Sequence, residues 1–361
     1  MRSGASSTAK FFLLEHGRFY WFNGMPSGEK VEEVLSEAVA LEKKYDWLGA
    51  RDLYEQALEA ADEKDFLKKG ELQERIGYCL HRAAFQAETR EEFRQRLGLA
   101  VEAYEKSCGF YERLREKEAW VSRCRAVGRF LQYWLTADLS EKVRLLDECL
   151  EFERQTLAVF WDSGDMLEYG RTYNGLSLVF WHRAWREFYR PLQEASLSRL
   201  LQIANEGIQW GEKAVAELSK LGDSHEMAVA HFTLATCLNF LINRTEEPEK
   251  QEQLISRCSE HLNRAIQLSE KVGDDYQVGL SCLRLPSSGR EQGIAYSEKA
   301  VECGEKTGDI FLKGGGLESL ASSVAWKIIG TEDPDERKRL GEEAVQLSLI
   351  HISEPTRQAE I

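Results

Sequence analysis

A turn residue followed by an acid recurs through this chain at Lys64-Asp65, Lys117-Glu118, Gly164-Asp165, Gly222-Asp223, Gly273-Asp274 and Gly308-Asp309. Amphipathic stretches with helical spacing lie on both sides of each. The physics of such a dipeptide is local. Glycine accepts the left-handed conformation that closes a helix C-terminus. Aspartate accepts hydrogen bonds from the first amides of the next helix and suits its dipole. Each unit is therefore expected to be helix A, a tight turn, then helix B. The acids fall 53, 47, 58, 51 and 35 residues apart, so most units are long and the one ending at Gly308 is compact.

The preceding stretches carry small residues where two helices would approach closely. Examples are Ala50, Ala57 and Ala61, Gly211 and Ala214, Ala265, and Ala300. The segments between units also repeat. Ala87 to Leu97 is matched by Thr136 to Leu146, and Thr245 to Leu254 by Thr331 to Leu340. Each has Thr or Asp, then acids, then Arg or Lys, which is the pattern of a helix start. A coiled coil needs an uninterrupted heptad seam, and the regular Gly-Asp breaks argue against one. There are six prolines, and 30% of the residues are charged. Such a composition favours helix throughout.

The array resembles the tetratricopeptide repeats, in the long-unit form found in regulatory arms of signalling ATPases and transcription regulators. The likeness covers about residues 30–346. It is closest from Gly273 to Gly308, and Tyr45-Asp-Trp-Leu-Gly-Ala50-Arg-Asp-Leu-Tyr54 comes nearest the family's helix opening. The longer units lack the usual Trp-x-x-Leu-Gly opening and the closing proline. The resemblance implies an all-α, right-handed superhelical solenoid of antiparallel hairpins whose A helices line a concave groove. Under that implication Tyr104, Arg154, Asn205, Trp210, Asn263 and Arg264 are the candidate partner-binding residues. The function implied is a scaffold that binds a peptide, a helix or a partner domain, with no cofactor and no enzymatic activity. The alternative is the sensor arm of a larger regulator or ATPase.

The flanks differ from the body. Phe11 to Leu14 and Arg18 to Phe22 surround His16-Gly17, a strand-turn-strand pattern that predicts a short N-terminal β-hairpin within an arm of residues 1–28. The repeat domain is expected over 29–346. Residues Leu347 to Arg357, LSLIHISEPTR, resemble the in-frame translation of a transposase adapter used in preparing DNA sequencing libraries. Residues 347–361 are accordingly read as a non-native tail, and the native array is expected to run on past Gln346.

Composition limits the partners. The net charge is −14, so this body lacks the basic field that a phosphate backbone demands. No stretch approaches the roughly 18 apolar residues of a membrane helix. Eight cysteines without a Cys-x-x-Cys pair are expected as buried thiols in a reducing, cytoplasmic setting.

Several motifs invite chemistry and do not sustain it. His225 and His231 are six residues apart, roughly 600° around a helix, whereas a zinc helix needs a spacing of four. Gly314-Gly315-Gly316 follows no strand and lacks the Lys-Ser/Thr of a phosphate loop, so close packing or a weakened stretch of helix B is expected there. His81-Arg82-Ala83 and His182-Arg183-Ala184 occupy matching places near helix ends, where basic groups complement the dipole. Phe180, Trp181, Trp185, Phe188 and Tyr189 form an aromatic cluster. It is expected to serve packing between units, or, as the sharper option, to anchor a partner.

Overall fold

The computed structural model describes residues 29–189, 197–285 and 290–353. The expected hairpin and arm of residues 1–28 lie outside them, as do residues 354–361. Fourteen helices and no strand occur among the described residues. They are α1 (Glu29–Glu42), α2 (Trp47–Ala60), α3 (Phe66–Ala84), α4 (Arg90–Tyr111), α5 (Glu118–Leu135), α6 (Leu139–Ser163) and α7 (Met166–Phe188). They continue with α8 (Leu197–Leu221), α9 (Ser224–Ile242), α10 (Pro248–Val272), α11 (Asp275–Arg284), α12 (Arg290–Thr307), α13 (Ile310–Ile329) and α14 (Pro334–Ser353). The last of these runs through the first residues of the adapter-like segment.

The repeated turns form as their residue types dictate. Gly164, Gly222, Gly273 and Gly308 hold φ of 73°, 72°, 73° and 68°. Asp65, Asp165, Asp223, Asp274 and Asp309 each accept a backbone amide from the first turn of the helix they start. The turn before α5 differs, because Lys117 holds the N-cap position without a side-chain cap and Glu118 is already helical. The compact unit is short because α11 has only 10 residues.

Each helix packs on the next. Helices two apart also touch along α7–α9, α9–α11 and α11–α13, all odd-numbered. A double layer bends toward the side whose members lie closer, so the odd helices form the concave layer. Their burial agrees. No residue of α7 before Phe188, and none of α9, is exposed. The even helices α6, α8 and α10 carry exposed residues along their length.

The even and odd layers meet through small residues. The ring of Tyr104 lies against Gly77, where a Cβ would stand 2.9 Å from it. Between α12 and α13 the backbones themselves meet at Gly304 and Gly316. That is the close packing expected of the triple glycine. Gly98 and Gly109 are different, since a Cβ there meets nothing within 4 Å. Both lie inside α4, where glycine costs about 0.5–1 kcal/mol relative to alanine. Gly98→Ala and Gly109→Ala are each expected to raise stability by about that amount. A chemical denaturation midpoint checks it, and a fall in either variant would contradict the open space at these sites.

The array also winds back onto itself. The loop before α2 meets the turn before α11. There the Tyr45 hydroxyl donates to Asp275 Oδ2 (3.1 Å) and accepts from the Asp275 amide (3.0 Å). The loop before α4 meets the turn before α13. Here the Ile310 amide donates to the Phe85 carbonyl (3.0 Å), and Phe311 packs edge-on against Phe85 with centroids 5.3 Å apart. Gln86 Nε2 ties the two contacts together, donating to the carbonyls of Tyr45 (2.9 Å) and Thr307 (2.7 Å). Each contact joins a loop to a turn nine helices further on. Equal offsets at two places mean one regular winding, closed by a seam between its first and second turns.

Candidate interaction face

The six residues nominated from the sequence all sit on even helices. Tyr104 is buried in the core at 1% exposure, so it presents no surface to a partner. Arg154 on α6, Asn205 on α8, and Asn263 and Arg264 on α10 are exposed. Asn205 Nδ2 bonds back to the Leu201 carbonyl of its own helix (2.8 Å). Trp210 is half-buried, stacked on Tyr173 with ring centroids 5.4 Å apart, and Lys213 Nζ lies 4.1 Å from its ring centroid. The structure does not bring these residues onto a common concave face. The helices taken as A are the outer ones, because Gly164-Asp165, Gly222-Asp223 and Gly273-Asp274 lie between closely packed helix pairs rather than within them.

The concave layer offers its own pattern. On α7 the partly exposed residues Leu167, Arg171, Asn174, Leu178, Trp181 and Trp185 are spaced by four, three, four, three and four. That spacing places them on one helix face. A similar stripe runs along α5 through Arg123, Val127, Phe130 and Trp134. Arg284 of α11 lies with its guanidinium 5.7 Å from the Trp181 ring, although α9 separates the two helices in the array. The stripe therefore faces a narrow interior.

One end of the stripe is ionic. Arg123 of α5 donates to both carboxylate oxygens of Glu74 on α3 (2.7 and 2.8 Å) and to Glu168 on α7 (2.6 Å). Arg171 of α7 donates to Glu168 (2.5 Å) and pairs with Glu226 on α9 (2.8 Å). Tyr111 donates to Glu74 from α4 (2.7 Å). Glu168 and Glu226 each follow a capping aspartate by three residues, as in Asp165-Met-Leu-Glu168 and Asp223-Ser-His-Glu226. Arg171 stands three further on, and so faces the next helix's glutamate. His225, at the same level, lies 3.2 Å from Asp274, the cap of α11. Burial pulls its pKa down, but Asp274, Glu226 and Asp223 outweigh that and hold it above the ordinary value. Beside the ladder, Glu153 of α6 is pushed up to about 8 by burial, against the pull of Arg123.

The other end is aromatic. Phe130, Tyr133, Trp134 and Trp181 surround His182 with ring centroids 4.5–5.5 Å away. Burial, with Arg186 and Arg284 adding to it, drives His182 down to about 3. A neutral ring carries no charge for the helix dipole, so that expected role fails here. The two His-Arg-Ala motifs also part company at the arginine. Arg183 bonds Asp147 locally (2.8 Å), whereas Arg82 lies over the Tyr276 ring at 3.6 Å and reaches Asp309 across the seam (3.8 Å). Of the aromatic cluster, Phe180 is core, Trp181 and Trp185 are partly exposed on the concave stripe, and Phe188 and Tyr189 are exposed beside it.

His182 makes a pH prediction. Its folded pKa lies below the unfolded value of 6.5, so between the two the unfolded chain binds the additional proton. The stability it supports is present above 6.5 and drains as pH falls toward about 3. Melting temperatures of wild type and His182→Gln are expected to converge as the pH is lowered from 7 to 4. A gap that stays constant would show that His182 does not titrate with unfolding. Glu153 works in the opposite sense, because its raised pKa costs stability as pH rises toward about 8.

Between the two ends sits Asn174. Its Oδ1 is buried and has no hydrogen-bond partner. A buried acceptor left open costs about 1–3 kcal/mol, so it is poised to take a donor. No group of three or more His, Cys, Asp or Glu residues is arranged to hold a metal ion among the described residues. All eight cysteines are free and buried. No described helix is long and apolar enough to cross a membrane. No family model matches the chain, and no curated protein matches it.

Proposed function

We propose that the protein is an interaction scaffold of the tetratricopeptide type, with a right-handed winding, and that a partner peptide lies along the concave face of the odd helices. The observation that carries this reading is the Asn174 carbonyl, open in the middle of a stripe with Arg171 on one side and Trp181 on the other. An extended peptide offers a backbone N–H for such an acceptor and side chains for the aromatic end. Stacked hairpins provide a continuous curved surface of this kind without a cofactor. Peptides selected from a displayed library are expected to lose about tenfold or more in affinity with Asn174→Ala. Asn205→Ala and Asn263→Ala, on the outer layer, are expected to bind as wild type. Loss confined to the outer variants would contradict the reading.

A second reading, the arm of a larger regulator, has one specific support. Trp326, Ile329 and Val345 on α13 and α14 are 65%, 70% and 59% exposed, an apolar face that a further helical element would cover. Resequencing the locus on adapter-free DNA decides it. A reading frame that runs past Gln346 into another hairpin and an effector domain supports the arm. A frame that reproduces LSLIHISEPTR and stops there favours the scaffold alone.

A further inference from the structure

We propose that the seam is a latch on the concave face: while it is closed the face is shielded, and it opens to a partner when the first and second turns separate. This rests on the concave reading above, but its test uses no partner.

Three observations lead here. First, the inner layer is covered at α7 and α9. Neither α7 before its last residue nor α9 has an exposed residue, and Arg284 and Trp181 meet across the interior. Second, the seam is separable. Its contacts come from the ends of the hairpins, from Tyr45, Phe85, Gln86, Arg82 in the last turn of α3 and Phe93 in the first turn of α4 on one side, and on the other from the turns before α11 and α13 with Tyr276 and Phe311 just inside those helices. Hairpin arrays depend on nearest-neighbour packing, so these contacts break without breaking any hairpin. Third, the seam holds strain. Tyr45 is the one non-glycine residue with positive φ among the described residues, at 60°. A bulky side chain pays for that conformation, and it persists only where surrounding contacts fix it. Its hydroxyl and carbonyl are both engaged in the seam. Arg82 and Asp309 add a buried ion pair at 3.8 Å, too long for a hydrogen bond, with Asp309 Oδ2 lacking a hydrogen-bond partner. Such a pair returns little of its desolvation cost. Separation would relieve both and rehydrate the charges.

The test places a thiol on the concave stripe, Asn174→Cys, and measures its maleimide labelling rate; the eight native cysteines are buried. Two seam variants are compared in that background. Tyr45→Phe removes the hydroxyl and keeps the strained backbone, and Gln86→Ala removes one shared donor. The labelling rate is expected to rise at least about tenfold with Tyr45→Phe and by less with Gln86→Ala, with helix content unchanged. Asn263→Cys, on the outer layer, is expected to label at the same rate in every background. An unchanged rate at position 174 overturns the latch. So does cooperative unfolding of both variants, which would make the seam part of the core. Because labelling reads access alone, a latch that opens while no peptide binds would count against the proposed function and leave the latch intact.

Discussion

Arg123→Leu is expected to destabilise the protein by about 3–5 kcal/mol, the usual cost of leaving a buried charge without its partner. Glu74 is fully buried and takes two hydrogen bonds from Arg123. The leucine would leave it only Tyr111 among those contacts. Glu168 suffers less, because Arg171 also holds it. The cost is therefore concentrated on Glu74, and Glu74→Gln in the same background is expected to recover part of it. An exposed pair provides the contrast. Arg125 and Glu112 are also 2.6 Å apart, but their side chains are 47% and 51% exposed. Arg125→Ala is expected to change stability by no more than about 1 kcal/mol. Urea denaturation of the three variants checks the set. A small loss at Arg123 would mean that water reaches Glu74 and that the odd layer is open rather than packed.

The second large effect opposes helix propensity. Alanine is better than glycine in a helix interior by about 1 kcal/mol. At Gly304 a Cβ would stand 2.5 Å from the Lys313 amide nitrogen and 2.7 Å from its Cα. At Gly316 it would stand 2.8 Å from the Val301 nitrogen. Those are backbone atoms, so relief requires α12 and α13 to move apart. Overpacking of this kind costs about 1–3 kcal/mol. Gly304→Ala and Gly316→Ala are expected to lower the denaturation midpoint, while the same change at Gly98 or Gly109 raises it. A gain at Gly304 or Gly316 would show that the two helices cross elsewhere.

The contrast between turns and layers shows what the chain reveals before it folds. Gly164-Asp165 and its counterparts were legible because a left-handed glycine and a capping aspartate act within four residues. The phase of the hairpins was not. Small residues such as Gly211 and Ala214 mark where helices cross, and they do so on whichever layer the crossing falls. The inner layer is decided by how all the helices pack, which no single stretch encodes. Transferring the family's groove to the even helices therefore put Asn205, Asn263 and Arg264 on the outer surface. The Asp-x-x-Glu-x-x-Arg spacing from Asp165 to Arg171 gave no register, because it also opens the even helices α6 (Asp138, Glu141, Arg144) and α14 (Asp333, Glu336, Arg339). The seam left no local trace, since its partners lie 221 to 230 residues apart. Tyr45 looked like part of a helix opening, yet its hydroxyl and carbonyl both serve the seam.

The regular winding closed by that seam is the central claim, and the Ile310 amide tests it most directly. As the first residue of α13 it has no acceptor within its own helix. Its partner is the Phe85 carbonyl, on the preceding turn of the winding. Site-resolved hydrogen exchange is therefore expected to find Ile310 protected in the wild type and fast in Tyr45→Phe. Exchange at Ile310 that is already as fast in the wild type as at other first-turn amides would contradict the closed winding.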